Sequence, residues 1–328
     1  MQAGPNEQKH DKAIVTIAIG DAYTQNFLRK TYPIWEKYCA RYGYDLVMIS
    51  EPIDAECDFT RKSFHWQKLL VGLLPQVQAY DRAVWLDGDI LINERLAPCI
   101  VAASPADGIG VVDISHVFAR PDEHFNLHAW FLILNYLMTR GLDPNTPDAV
   151  VTDGDLATYY ARFGLTGGAD RFINTGVLVF DPKAHAHFLA EVYARYERDF
   201  VDFENTPLSH DLQTSGLARY LDGRFNTIWA QVAAEHYPFL FNPELMAESR
   251  DELMRLCVDT TFRNTWFLHF AGGGRNPLIK GGYDVIDPDG PGIPARVFAE
   301  AWAGHDGFLS FERLAEIAGG EGKRVVLY

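Results

Sequence analysis

Val84–Ile92 reads VWLDGDILI: an apolar run, two aspartates around a glycine, and apolar residues again. Carboxylates are costly to bury, so the segment has two readings. In one, Asp87 and Asp89 sit on a solvated turn, where Asp and Gly are common. In the other they are held at the end of a buried strand, and if strand geometry persists both point the same way. Two adjacent carboxylates repel each other, and a hard divalent cation with a preference for oxygen ligands removes that penalty. Gly88 between them lets a ligand or another group approach the backbone.

The residues around this stretch read as alternating strands and helices. Ahead of it, AIVTIAI (Ala13–Ile19) is β-branched and apolar on successive positions, as in a central parallel strand buried on both faces. GDAY (Gly20–Tyr23) reads as a loop, followed by a helical pattern through Phe27, Leu28, Trp35, Cys39 and Tyr42 that closes at Gly43. Pro33 lies inside it and either kinks the helix or starts a second one. DLVMI (Asp45–Ile49) is a second strand, and Phe64–Val77 carries apolar residues at helical spacing. RAVWL is the third strand and delivers the aspartates; IGVV is a fourth, ending at Asp113.

FINTGVLVF (Phe172–Phe180) resumes the sheet, and Pro182 opens a helix expected to end near Phe200. SHDLQTSGLARYL (Ser209–Leu221) reads as helical, and WFLHF (Trp266–Phe270) as a short strand before the glycine cluster AGGGRNPLIKGG. The alternation predicts an α/β protein with an open, mostly parallel sheet flanked by helices. Residues 115–170, rich in aromatics and histidine, read as a helical insertion; residues 1–12 as a flexible N-terminus; residues 286–328 as an extension with two short helices. Residues 13–285 then form the main domain.

Composition narrows the class. With 328 residues, 48% hydrophobic, the chain can bury a large core. A net charge of −15 argues against nucleic acid, whose backbone calls for clustered Lys and Arg. Cys39, Cys57, Cys99 and Cys257 lie far apart, without the spacing of a zinc knuckle or redox pair. The longest apolar run, WFLILNYLM (Trp130–Met138), falls short of the roughly 20 residues that span a bilayer, and MQAGPNEQKHDK has no apolar leader core. The expectation is a soluble, cytoplasmic protein without a transmembrane segment.

Four stretches in order resemble a known family. IVTIAIGDAY, then QKLL with YDRAVWLDGDILI, then FINTGVLVF, then LHFAGGGR are similar to the motifs of family 8 retaining glycosyltransferases, which include glycogenin and lipopolysaccharide galactosyltransferases. The resemblance implies a GT-A-like, Rossmann-type sheet that binds a nucleotide-sugar, with UDP the nucleotide and Mn²⁺ or Mg²⁺ the ion. By position it implies Asp87, Asp89 and His269 as metal ligands, and Ala18, Ile19 and Tyr23 around base and ribose. It places Lys68 near the donor phosphates, with Gly88, Gly272, Gly273 and Arg275 also on the donor side. Asp170 and Asn174 would flank the sugar.

Each assignment has a plainer reading beside it: Tyr23 as core packing, Lys68 as a solvated helix lysine, His269 as a satisfied core histidine, Asp170–Asn174 as a turn before a strand. The glycine cluster lacks the G-K-[ST] of a P-loop. The chain also departs from the family. Arg275–Asn276–Pro277–Leu278 replaces Lys-Pro-Trp, the Asp-Gln pair appears only as Asp211 and Gln213 with a residue between, and the insertion is longer than in glycogenin.

The resemblance implies transfer with retention of configuration to a carbohydrate, glycolipid or small-molecule acceptor. Asp211 is the first candidate nucleophile and Gln213 the second; a front-face reaction needs neither, and in an inverting reaction Asp211 would serve as general base. Two rival functions share parts of the pattern. A haloacid-dehalogenase-like phosphatase also carries D-x-D after a strand, and a non-catalytic nucleotide-sugar-binding module would keep the fold without the chemistry.

Overall fold

The computed structural model describes residues 10–118, 156–241, 244, 250–272 and the single positions 286, 290, 292, 293 and 296. Most of the expected insertion and nearly all of the expected C-terminal extension lie outside these residues.

A six-stranded sheet of order β2-β1-β3-β6-β5-β7 forms the centre. Its strands are β1 (Lys12–Ile17), β2 (Asp45–Ile49), β3 (Arg82–Leu86), β5 (Ile109–Asp113), β6 (Ile173–Phe180) and β7 (Ala218–Tyr220). β1 pairs parallel with β2 and β3, and β5 with β7; β6 runs antiparallel to both β3 and β5. The β5–β6 ladder is irregular between Gly110 and Val112, opposite the Asn174–Val179 stretch that carries Thr175 and Gly176. Such irregularities re-aim side chains beside functional sites.

Helices cover both faces because the central strands are apolar at nearly every position. Ile14, Val84, Leu86, Val177 and Val179 point into one core with Trp35 and Tyr38. Ala13, Val15, Ala83, Trp85, Leu178 and Phe180 point into the other with Trp66, Leu69, Leu189 and Leu208. Each strand thus divides its residues by the two-residue pleat. A fully buried Val, Leu or Ile contributes about 1.5–3 kcal/mol, so these strands anchor the domain.

The helical segment after β1 is two helices, α1 (Asp21–Lys30) and α2 (Tyr32–Tyr42). Pro33 lies in the first turn of the second, where its missing N–H costs nothing. GDAY is therefore not the expected loop: α1 begins at Asp21. Phe64–Leu73 is a 3₁₀ segment and not an α-helix, followed by the short α3 (Pro75–Gln78). Further elements are α4 (Ile100–Ala103), α5 (Leu156–Arg162), α6 (Pro182–Arg195), α7 (Asn205–Thr214), α8 (Trp229–His236) and α9 (Arg250–Asn264).

α6 stops at Arg195, short of Phe200. The helical reading of Ser209–Leu221 holds only to Thr214; Ala218–Tyr220 is strand β7, recruited by pairing with β5. α9 had no counterpart in the sequence reading. Among the described residues no helix is long and apolar enough to cross a membrane, and the four cysteines are free thiols.

A second sheet of three short strands, β4 (Ile90–Ile92), β8 (Thr227–Ile228) and β9 (Phe267–His269), has the order β4-β9-β8. Its antiparallel register sets Ile90 opposite His269. Trp35, fully buried, donates its indole N–H to the Ile90 carbonyl at 2.8 Å and anchors β4 from α2.

Candidate active site

VWLDGDILI is two strands in two different sheets, and the aspartates occupy the turn between them. The Ile90 N–H closes that turn on the Asp87 carbonyl at 3.1 Å, and the Asp87 N–H donates to the Gly176 carbonyl at 2.9 Å. Strand geometry therefore does not persist through the pair, and the expected common direction from pleat alternation is replaced by a turn. Asp87 still continues the β3 alternation, on the side of Trp85. Its Oδ1 accepts from Trp85 Nε1 at 2.8 Å and from Lys68 Nζ at 2.9 Å. Asp89, at the far side of the turn, meets β9: its carbonyl accepts the Phe270 N–H at 3.0 Å.

Pairing of β4 with β9 brings His269 to the aspartates. His269 Nε2 lies 3.2 Å from Asp89 Oδ1 and 3.9 Å from Asp87 Oδ2. One ligand atom from each of the three residues falls within 4.8 Å of the others. His269 is 2% exposed, whereas the aspartate side chains keep 25% and 29%, so the imidazole forms the floor and the carboxylates the open rim.

A chain of hydrogen bonds decides which imidazole nitrogen carries the proton. The Gly176 N–H can only donate, and it gives to Asn174 Oδ1 at 3.0 Å. Asn226 must then offer its Nδ2 to that same oxygen, at 2.8 Å. This turns Asn226 Oδ1 toward His269 Nδ1, at 2.7 Å. Nδ1 therefore holds the hydrogen, and Nε2 presents its lone pair to the space between the carboxylates. A second partner that fixes the tautomer of a histidine in this way is what metal-ligating histidines ordinarily have. Gly176 also makes room: a Cβ there would lie 2.5 Å from His269 Cε1 and 2.9 Å from Asn174 Oδ1.

Lys68 is 2% exposed and not a solvated lysine. Its ammonium sits between Asp87 and Glu204, 2.8 Å from Glu204 Oε1, and donates to the Thr175 carbonyl at 3.4 Å. Burial disfavours the charge of Lys68, but the two carboxylates outweigh it and its pKa is raised. Burial pushes the Asp87 carboxyl upward, and the charge of Lys68, with the hydrogen bonds from Lys68 and Trp85, overcomes that and holds it below the usual range. Asp87 thus stays ionised, with Oδ1 held by Lys68 and Trp85.

Glu204 is 3% exposed and also accepts from Thr175 Oγ1 at 2.9 Å. Its Oε2 is buried and has no hydrogen-bond partner among the described residues. A buried acceptor left unmade is expensive, so the oxygen is marked for a ligand or a water.

Other candidates separate into groups. Tyr23 remains 47% exposed, yet its hydroxyl end is tucked over Gly88, where a Cβ would be 2.7 Å from the phenol oxygen. Its pKa is pushed up, first by burial of that end and then by the charges of Asp89 and Asp87. Ala18 is buried, with its N–H on the Ile49 carbonyl and its own carbonyl taken by Thr24 Oγ1, both at 2.8 Å; Ile19 follows it half-buried.

Asp211 is not drawn into the cluster. Its carboxylate, on α7, is taken by Arg195 at 2.6 Å, Tyr196 at 3.1 Å and His210 at 2.9 Å. Gln213 braces the turn before β6, accepting from the Arg171 N–H at 2.9 Å and donating to its carbonyl at 2.8 Å. Asp170 is exposed beside it. Gly272 has φ 79°, a conformation open to glycine; Gly273 and Arg275 lie outside the described residues.

Sequence reasoning missed Glu204 and Asn226. Neither sits in a spacing pattern, and only the fold brings them to the aspartates. Gly176 was legible as part of N-T-G-V, but its purpose, clearance for His269, was not.

No family model and no curated protein matches the chain. Solved structures do. A glycosyltransferase involved in glycosylation of the major capsid of PBCV-1 is 16% identical over 83% of this chain and 100% of that one, with a TM-score of 0.45. The galactosyltransferase LgtC, in complex with donor and acceptor sugar analogs, is 14% identical over 83% of this chain and 93% of its own, with a TM-score of 0.39. The bifunctional glycosyltransferase WbbM is 13% identical over 82% of this chain and 47% of its own, with a TM-score of 0.44. Likeness at this level speaks for no individual residue.

Proposed function

We propose that the chain is a metal-dependent glycosyltransferase that moves a sugar from a nucleoside diphosphate donor, with UDP the expected nucleotide, to a hydroxyl-bearing acceptor. The observation that supports it most is the meeting of Asp87, Asp89 and His269 at the rim of the sheet, with ligand atoms within 4.8 Å of one another. Two carboxylates and a neutral imidazole suit Mn²⁺ or Mg²⁺, and the aspartates' exposure leaves positions for phosphate oxygens. An ion bound there supplies neutralising charge to the diphosphate leaving group.

The roles of the chain's own residues follow from their partners. Lys68 and Trp85 hold Asp87 ionised and fix its orientation. Asn226 and Asn174 keep the His269 lone pair on the ligand side. Tyr23, half-exposed above Gly88, offers a ring face to the base, with Ala18 and Ile19 beside it. Gly272, Gly273 and Arg275 lie within six residues after His269 in the chain and are proposed to cradle the diphosphate. Glu204 Oε2 is proposed to accept a hydroxyl of the donor sugar. Retention is proposed from the motif resemblance; Gln213 enters as support for the turn before β6 and Asp211 as the partner of Arg195, Tyr196 and His210, and a front-face reaction needs no nucleophile from either. An acceptor that is a carbohydrate, a glycolipid or a small molecule, and a cytoplasmic location, belong to the same proposal.

The phosphatase alternative is disfavoured by Asp87 itself. Its Oδ1 is spent on two donors, and two strands precede it where that fold places the nucleophile on the first.

Calorimetry of UDP and a panel of UDP-sugars, with and without Mn²⁺, tests the proposal. Binding that requires the ion, and UDP release upon adding acceptor, is the expected result. Absence of ion-dependent nucleotide binding overturns it; donor binding without UDP release to any acceptor or to water leaves a binding module.

A further inference from the structure

The turn just before α7 stacks against the start of the Lys68 segment in an aromatic arrangement that donor binding does not use. Phe203 has φ 66°, the only non-glycine residue with positive φ among the described residues. A bulky aromatic residue is an outlier there. Its backbone is pinned by a reciprocal pair with Phe200, at 3.0 and 3.2 Å. The Phe203 ring lies on the His65 imidazole with centroids 4.0 Å apart and planes 9° from parallel. Strained backbone of this kind collects at ligand sites, where the surroundings hold a conformation the residue would not choose.

Two connections tie this stacked pair to the site. Phe203 is the residue before Glu204, so the turn that lifts its ring also sends the Glu204 carboxylate inward to Lys68. His65 and Lys68 are three apart on the 3₁₀ segment, whose three-residue turn stacks them on one ridge, about 6 Å apart along the axis. The pair therefore lies one turn outward from the Lys68–Glu204 pair. His65 is exposed, and Phe59 and Phe64 form a second stacked pair beside it, with centroids 4.0 Å apart and Phe64 44% exposed.

The His65 ring is also held in orientation. Ser63 Oγ donates its hydrogen to Asp199 Oδ1 at 2.9 Å and so receives the His65 Nδ1 hydrogen at 3.1 Å. Nε2 is left as the ring's acceptor nitrogen.

We propose that the stacked His65–Phe203 pair is the platform for a sugar ring of the acceptor, so that the acceptor is a carbohydrate. The proposal deepens the transferase reading and rests on it for the acceptor's role. A pyranose has an apolar C–H face and a rim of hydroxyls. The first packs on a π face, and the second finds an acceptor in His65 Nε2.

Saturation-transfer NMR on the whole protein with Mn²⁺ and UDP tests this, using methyl glucosides, galactosides and xylosides and lactose as probes. At least one glycoside is expected to take saturation on its ring C–H protons. The signal is expected to weaken about tenfold in His65→Ala and in Phe203→Gly, and to return in His65→Phe, which restores a flat ring. Glycine accepts φ 66° without strain, so Phe203→Gly removes the ring while keeping the turn. Calorimetry of Mn²⁺–UDP on the same proteins is the reference and is expected to stay within about twofold.

The proposal is overturned if no glycoside is saturated, if the signal ignores both substitutions, or if UDP affinity falls with the glycoside signal, which would make the pair a base reader. A change of oligomeric state in His65→Ala would overturn it in favour of a protein contact. If wild-type protein binds no Mn²⁺–UDP but glycosides still depend on His65, the platform stands and the transferase reading falls.

Discussion

His269 Nε2 stands 3.2 Å from Asp89 Oδ1, and the imidazole arrives there only because β9 pairs with β4 directly after the aspartate turn. Two short strands, neither in the main sheet, therefore decide whether the acidic pair has a third partner. The predictions below follow from that dependence and from the charges gathered around it.

Asp89→Ala removes one carboxylate from the rim without opening the core. Its side chain is 29% exposed, so stability is expected to change by no more than about 1 kcal/mol. Affinity for Mn²⁺–UDP is expected to drop more than about 100-fold, the loss of a ligand exceeding that of an outer-shell partner. Calorimetry beside a denaturant titration separates the two, and unchanged affinity would count against the site.

Asn226→Ala takes the hydrogen-bond acceptor from His269 Nδ1 while touching neither aspartate. The imidazole is then free to turn or to change tautomer, and ion affinity is expected to fall about 10–100-fold. A Mn²⁺ titration followed by electron paramagnetic resonance measures it directly.

Gly176→Ala places a methyl 2.5 Å from His269 Cε1 and 2.9 Å from Asn174 Oδ1, so both must move. Destabilisation of about 1–3 kcal/mol is expected from the overpacking. Ion affinity should fall with it, since the residues displaced are those that aim Nε2. A variant as stable and as tight as the wild type would remove the clearance argument.

Lys68→Met leaves Asp87 and the buried Glu204 without the cation between them. Breaking one side of a buried charge cluster costs about 3–5 kcal/mol, and a Met of similar length recovers little of it. In the wild type the lowered Asp87 pKa gives stability that is present above the unfolded value of 3.8 and lost as pH falls through the folded one. In Lys68→Met that sign reverses, because protonating a carboxylate now relieves repulsion; urea midpoints across the acid range show it.

Asp202 behaves oppositely to Asp87. Burial raises its pKa from 3.8 to about 6, only partly offset by donors from Thr206 and Asn205, and nearby Glu204 adds to the rise. The folded state then binds the proton more tightly than the unfolded chain. Its contribution to stability falls as pH rises from 3.8 to about 6 and is level beyond. Asp202→Asn should flatten stability over that window, and chemical denaturation at fixed intervals of pH reads the slope.

The hydrophobic pattern by itself determined the layered α/β architecture. Strands β1, β3 and β6 are apolar at nearly every position, and only a sheet covered on both faces buries such runs. Pro33 marked a break in the helical pattern from local chemistry, as either a kink or a new start, and the structure made it the first turn of a second helix, where a missing N–H is harmless. Tertiary structure decided the rest. Phe64–Leu73 carries a helical pattern, yet packing made it 3₁₀; Ala218–Tyr220 continued a helical pattern, yet pairing with β5 made it strand. The site belongs to this second kind. Asp87 and Asp89 could be picked out from VWLDGDILI, but periodicity cannot say that they occupy a turn between strands of two different sheets. Nor does any spacing announce Asn226, Glu204 or the cation of Lys68 between two carboxylates, because interactions among residues far apart in the chain acquire their energy only when the fold has closed the distance and removed the water.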